Sequence, residues 1–453
     1  MRARSGRRSV LLCLAVCIGA LFGPSILARR AHADESGVPQ APEISLKEVL
    51  RSAQRDPSSV RAALATLARV DAQRSYAEEA YLPSLTGQVA GGASYANQLI
   101  LPNLPRIDSR SLEAQSSITF DWSAFNVARG YDLDAARADL TAQGYAAENA
   151  RRMAAQAAAE LYVRAQAAVA LIDDAALSVD RRTNEYSAIR DLVRAGVHPP
   201  VDATRAEVEM VSARHVLVTR QIEARASFAA LAAALGRDPT SSLRPAGEDT
   251  SGLAVSFSPE RARQEAAKNR PELPQFAASD AAKRALVDAA IGARLPTLGV
   301  TATGSASYDD VISGLGVDGA IYDASAVAYI RWAGLDPAVW GQAAIAQAEA
   351  LESKRALKGA QLSVGADAVA AAYAAERAKE EVDRAVAVLT AAEAVREAQN
   401  GRYRAGFASL LELLDAEELE QQARRDRIVS RRDYELAGAR LLSACGLLAR
   451  LAR

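Results

Sequence analysis

An internal repeat constrains this chain more than anything else in it. The break Arg194-Ala195-Gly196-Val197-His198-Pro199-Pro200-Val201-Asp202 separates two long alanine-rich runs, and Arg404-Ala405-Gly406-Phe407 repeats it. Gly196 and Gly406, Ala206-Glu207 and Ala416-Glu417, Leu235-Gly236 and Cys445-Gly446, and Trp122 and Trp332 all stand 210 residues apart. A period that long means two copies of one large unit rather than a solenoid of small ones.

Within each copy the hydrophobic period changes and then changes back. Ser45-Leu46-Lys47-Glu48 has the form of a capping box and starts a helix that runs to about Ala80, broken near Asp56-Pro57. Ser258-Pro259-Glu260 starts its counterpart with proline at the favoured first position, and Asn269-Arg270-Pro271 repeats the break. Leu82-Pro83-Ser84-Leu85 and Leu295-Pro296-Thr297-Leu298 end these helices, and the period falls from 3.6 to 2. Leu85, Gly87, Val89, Gly91, Ala93 and Tyr95 then share one strand face, against Ser84, Thr86, Gln88 and Ser94 on the other. The second copy sets Leu298, Val300, Ala302, Gly304, Ala306 and Tyr308 against Thr297, Thr301, Thr303, Ser305 and Ser307. The expected hairpins span 84–122 and 297–332, with polar loops around Asn103 to Asp108 and Asp309 to Asp318.

A helix without proline follows each hairpin. The first spans 125–194 behind Ser123 as N-cap, and the second spans 337–404 behind Asp336-Pro337. Tips at 195–201 and 405–409 lead into helices 202–235 and 410–446. A run of roughly 70 residues is about 105 Å long at ~1.5 Å per residue, too long to fold compactly by itself. Two half-length helices stacked end to end match it, so the first repeat (34–236) and the second (258–453) each read as a pair of columns. The segment 237–257 then falls at the waist between them.

Composition narrows the function. Apolar residues make up 50% of the chain but aromatics only 5%, so the core is mostly alanine, leucine and valine and builds few large pockets. No nucleophile with its base, phosphate loop or pair of catalytic carboxylates is present, so the chain reads as no enzyme, and no cofactor is implied. His198 and His215 lack clustered acids or thiols, which argues against a metal site. Arg2, Arg4, Arg7 and Arg8, an apolar run from Val10 to about Phe22, and Ala31-His32-Ala33 together read as a secretory signal over 1–33. Its removal takes away six arginines and no acids, moving the net charge from −1 to about −7, which argues against nucleic acid. Cys17 lies early in the apolar run behind a valine and does not read as a lipid-attachment site. Cys445 is then left alone, so no intrachain disulfide is expected. Past the signal no apolar run reaches the ~20 residues of a spanning helix, so any entry into a membrane is by strands.

Strands with one weakly apolar and one hydroxyl-rich face suit a membrane barrel with a wet interior, or a small soluble sheet with one wet face. The helices by themselves would equally make a soluble antiparallel coiled coil. Four strands cannot close a barrel, because the smallest single-chain barrels use eight. Three chains supply twelve strands, whereas two supply eight, a number that interior side chains fill. The expected fold is therefore mainly α with a small β part: long helical hairpins in a trimeric α-barrel, joined to a 12-stranded transmembrane β-barrel.

The paired hairpins, the Leu-Pro-x-Leu start of each first strand and the duplicated Arg-Ala-Gly breaks together resemble the TolC-like outer-membrane efflux protein family. So do the runs Val201-Asp202-Ala203-Thr204-Arg205-Ala206 and Leu413-Leu414-Asp415-Ala416-Glu417 behind those breaks, and the Leu-Gly and Cys-Gly ends. The resemblance implies a homotrimeric channel-tunnel, with its barrel in outer-membrane lipid and its helices in the periplasm. It would be the passive exit duct of a tripartite efflux or type I secretion system, docked to a periplasmic adaptor (membrane fusion) protein and an inner-membrane transporter. The alternative from another class is a periplasmic coiled-coil scaffold.

The resemblance also implies site residues. Glu412 and Asp415 match acids that line the periplasmic aperture, although Ser409-Leu410-Leu411-Glu412 is also a capping box. Asp202 matches an acid that some relatives pair with an arginine as a latch; Ala408 stands where that arginine would be. A latch would then use Arg402, Arg404 or the Tyr403 hydroxyl, and Asp202 equally suits a plain helix N-terminus. Gly196 and Gly406 are expected as left-handed C-caps, forming with Val197 and Phe407 the tips that meet the adaptor. Packing against the neighbouring helix is the other reading of Phe407. Trp122 and Trp332 end strands, at the membrane interface or at the junction of barrel and helices.

Overall fold

A computed structural model describes residues 43–452 apart from residue 56 and the segments 99–106, 242, 248–249 and 312–318. The signal segment with Cys17, most of both hairpin loops and Glu248-Asp249 of the linker lie outside the described residues.

The first repeat runs through β1 (Glu43–Ile44), α1 (Leu46–Arg55), α2 (Ser58–Glu79), β2 (Ser84–Gln98), β3 (Ile107–Phe125), α3 (Val127–Arg194) and α4 (Pro200–Ala234). The linker holds β4 (Arg244–Pro245), which pairs in parallel with β1, and a short 3-10 turn at Ser251–Leu253. The second repeat runs through α5 (Pro259–Asn269), α6 (Glu272–Gly292), β5 (Thr297–Val311), β6 (Gly319–Arg331), α7 (Pro337–Arg404) and α8 (Leu410–Ala444). Among the described residues no helix is long and apolar enough to cross a membrane.

The four long strands form one antiparallel sheet in the order β2-β3-β5-β6, so the two hairpins join through β3 and β5. Register keeps the faces apart across all four. Thr86, Thr119, Thr303 and Ser325 form one cross-strand row, and Leu85, Phe120, Ala302 and Ala326 form a row on the opposite face. The strands are 13 to 19 residues long, more than the ten or so expected from the alternating stretch alone, because pairing continues through the polar ends. The expected N-cap at Ser123 is corrected. A bulge between Trp122 and Phe125 lets Phe125 pair with Leu298, so the strand continues and α3 begins only at Val127. Ser123 instead accepts a hydrogen bond from Arg129 through its carbonyl oxygen at 2.6 Å. Likewise α4 begins at Pro200 rather than Asp202, because a proline at the first helical position loses no hydrogen bond.

Below the sheet the helices form four columns side by side. Towards the sheet the order is α2, α3, α6, α7; towards the tips it is α4, α3, α8, α7. The 68-residue helices α3 and α7 run the whole length, about 100 Å at ~1.5 Å per residue. Halfway along, at the waist, the large side chains are buried. Val49, Tyr162, Leu231 and Leu243 close one cluster, and Leu50, Leu253, Leu442 and Leu448 an adjoining one. The Tyr162 hydroxyl donates to the Ala246 carbonyl at 3.0 Å, and Thr250 donates to the Glu435 carboxylate at 2.7 Å, tying the linker across both repeats. Gly438 lies so close to the linker that a Cβ there would collide with the Leu253 carbonyl oxygen.

Candidate functional site

The two tips are built by the same backbone device. Gly196 and Gly406 take φ of 74° and 77°, and the next residue's N–H reaches back to the third-last helical carbonyl: Val197 to Leu192 at 3.0 Å, Phe407 to Arg402 at 2.8 Å. That arrangement satisfies carbonyls a helix end would otherwise leave bare, and the left-handed φ favours glycine. It also throws the following side chain outward. Val197 is 66% exposed and Phe407 78% exposed, so Phe407 does not pack against the neighbouring helix.

Behind the tips the repeats touch. Ile189, Ala206 and Leu410 are buried together, with Tyr186, Val193, Tyr403 and Leu414 packed around them. Asp202 lies in the first turn of α4, with its side chain only 14% exposed and a carboxylate oxygen 3.4 Å from His198 Nδ1. The His198 ring sits 5.6 Å from the Tyr403 ring, centroid to centroid. The Tyr403 hydroxyl is buried without a hydrogen-bond partner, and its pKa is raised, first by burial and then by the negative charge of Asp202. Of the three groups expected to replace the missing arginine, Tyr403 is the one brought to Asp202. Arg402 turns back onto its own tip, donating to the Phe407 carbonyl at 3.4 Å, and Arg404 lies exposed. His198 was not foreseen in this cluster, because nothing local in the sequence places it against a residue 205 positions away.

Glu412 and Asp415 lie on the exposed side of the first turns of α8, without an ion-pair partner among the described residues. The Ser409 hydroxyl accepts from the Glu412 N–H at 3.3 Å, so the capping role holds. It uses the Glu412 backbone and leaves the carboxylate free.

At the other end of the columns the repeats again share a device. Trp122 Nε1 donates to the Tyr81 carbonyl at 3.2 Å, and Trp332 Nε1 to the Arg294 carbonyl at 2.9 Å. Both indoles therefore pin the turn just past the upstream helix to the end of the strand that returns beside it. Among the described residues no group of three or more His, Cys, Asp or Glu side chains could hold a metal ion. Cys445 is buried and free, its thiol pushed up to about 11, chiefly by burial.

Residues 262–447 match the family model described as outer membrane efflux protein. Among curated proteins none matches significantly. Solved structures resemble the chain along most of its length. The open-state MtrE outer membrane channel of Neisseria gonorrhoeae is 20% identical, over 89% of this chain and 89% of that one, with a TM-score of 0.66. VceC, an outer membrane protein of Vibrio cholerae, is 16% identical over 88% and 96%, with a TM-score of 0.66. The CmeC outer membrane channel of Campylobacter jejuni is 15% identical over 88% and 85%, with a TM-score of 0.64.

Proposed function

We propose, from a fold that is that of the TolC-like outer-membrane channels and a second repeat that matches the outer membrane efflux protein family, that this chain is one subunit of a trimeric exit duct. The observation that carries the proposal is that the molecule has two open sides at every height. The sheet ends in free edges at β2 and β6, and the helical layer ends in α2 and α4 on one flank and α7 on the other. Val208, Val211 and Ile222 on α4, and Ile345, Leu362 and Tyr373 on α7, are each more than half exposed. Unpaired strand edges and apolar flanks of this extent are what a neighbouring copy covers. Three copies give twelve strands and twelve columns. The hydroxyl-rich sheet face then lines a wet barrel, and the apolar face meets outer-membrane lipid. The helical columns continue the duct into the periplasm.

The duct catalyses nothing; the energy of export comes from an inner-membrane transporter. Val197 and Phe407 are the apolar points that meet a periplasmic adaptor, and the glycines hold them in place. The cluster of His198, Asp202 and Tyr403 is the latch of the closed tip, with the tyrosine ring taking the role that relatives give to an arginine at the position of Ala408. Opening swings the tip helices outward, a shift between packed arrangements driven by adaptor contacts. Glu412 and Asp415 present free carboxylates to the aperture and favour cations there.

Replacing both acids, Glu412→Ala with Asp415→Ala, is expected to weaken cation preference and cation block in single-channel recordings. Unchanged selectivity and block in that double variant would remove the aperture role. Fractionation separates the duct from a coiled-coil scaffold, since a scaffold stays in solution without detergent.

A further inference from the structure

Below the waist the α3/α4 hairpin of the first repeat meets the α7/α8 hairpin of the second chiefly along one seam, α3 against α8. Between the apolar tip cluster and the waist this seam is ionic. Glu420 on α8 is 1% exposed and receives three guanidiniums, from Arg181 on α3 at 3.3 Å, Arg396 on α7 at 2.7 Å and Arg424 on α8 at 2.6 Å. One turn nearer the tip, Glu417 has no such surplus. Its carboxylate and that of Glu185 share a single cation: Arg182 Nη1 lies 3.1 Å from Glu185 and in closer contact still with Glu417.

The half-open cleft here holds about 50 Å³, room for little more than water. Four arginines and four acids line it in balance, so it is no ligand pocket. What remains unbalanced is the pair itself, two carboxylates against one guanidinium, with Arg182 and Glu417 largely covered at 9% and 13% exposure and Glu185 at 31%. From α4 the facing charged group is Glu209, another acid, and from α7 it is Arg396, already engaged by Glu420. Asp174 on α3, at the far end of the cleft, is also raised, chiefly by burial.

We propose that this seam is a proton-operated clasp: a proton held between Glu185 and Glu417 keeps the two hairpins together, and its loss as pH rises lets them part. The clasp deepens the duct proposed above and rests on it, because only in a duct must the hairpins separate for the tip to open. The structure gives the proton its place. Burial, followed by the hydrogen bond and the charge of Glu185, pushes Glu417 up to about 8, against the pull of Arg182.

The sign follows from linkage. Glu417 in the closed seam binds a proton more tightly than the same group in water, so closing takes up one proton from solvent and opening returns it. The stabilisation is complete below the ordinary carboxylate range of about 4.5 and is lost as pH climbs through about 8. Over that interval the open-to-closed ratio of the seam changes by up to about tenfold per pH unit.

The test is amide hydrogen exchange of the detergent-solubilised full-length mature protein, followed in 178–189 of α3 and 413–424 of α8, for wild type and Glu417→Gln. Glutamine keeps the shape and stays neutral at every pH. Taking the ratio of the two proteins at each pH cancels the chemical exchange rate and every other titrating group, His198 included. The clasp predicts a ratio of wild-type to variant exchange that climbs at least about tenfold between pH 6 and pH 9. A ratio that stays flat from pH 6 to pH 9 would overturn it. Should Glu417→Gln fail to fold, Glu185→Gln removes the same repulsion from the α3 side and must give the same result. Bilayer recordings separate this inference from the one beneath it. Trimers that conduct with a flat exchange ratio sink the clasp alone, whereas a protein that forms no pore at all sinks the duct and the clasp with it.

Discussion

At the waist and below it the two repeats are joined by different materials. At the waist, leucine, valine and tyrosine interlock, and Gly438 brings α8 against the linker backbone. Below it, the same α3 and α8 meet through ion pairs, while Ala423 of α8 packs on Leu389 and Ala392 of α7, and the apolar cluster shared by the two repeats returns at the tip. Each large apolar side chain fully buried contributes about 1.5–3 kcal/mol, and no change of protonation takes that away. A buried ion pair gains little over an apolar contact of the same shape, yet it can be undone by a proton. The waist is therefore built to stay closed, and the lower seam to open.

This contrast can be broken at its strong end first. Leu50→Ala, at a side chain with no exposure that packs against Leu442 of the other repeat, is expected to cost about 2–5 kcal/mol in thermal or denaturant unfolding of the mature protein. A cost as small as that of a surface substitution would mean that the waist is not the fixed joint. Glu420→Gln should cost less, about 1–3 kcal/mol. It strips the partner from three arginines, but these are 23–42% exposed and can regain water. Its clearest signature would be local: faster hydrogen exchange in the lower seam with the waist unchanged. Equal loosening of both regions would erase the distinction between them.

Smaller effects sharpen the picture at the tips. Gly406→Ala forces a side chain into a left-handed backbone and is expected to cost about 1 kcal/mol, although open space surrounds it. Tyr403→Phe should change stability by less than about 0.5 kcal/mol, or raise it slightly, because the hydroxyl it removes is buried and unpartnered. A loss above about 2 kcal/mol on urea unfolding would show that this hydroxyl does find a partner.

Much of this architecture was legible from local chemistry. Gly196 and Gly406 announce helix ends because few other residues tolerate their φ, and Pro83 and Pro296 stop helices whose next residues alternate. The cross-strand rows follow from that alternation, since a slip of one residue would turn every side chain to the wrong face. The end of β3 was not legible, because a bulge leaves no mark in a pattern of period 2. The absence of an arginine at Ala408 could be read, but not what stands in for it. Tyr403 and His198 are joined only by the packing of α7 against the first tip. The ionic seam was hidden for the same reason. In the run Ala416-Glu417-Glu418-Leu419-Glu420 every acid looks like a solvated surface residue, and only the register of α8 on α3 selects which two are buried against arginine.

All of this presupposes that the open flanks are covered by copies of the same chain. The direct measurement is the mass of the mature protein extracted from membranes in mild detergent, by native mass spectrometry or sedimentation. The account predicts a particle of three chains. A monodisperse monomer, soluble in water without detergent, would contradict it.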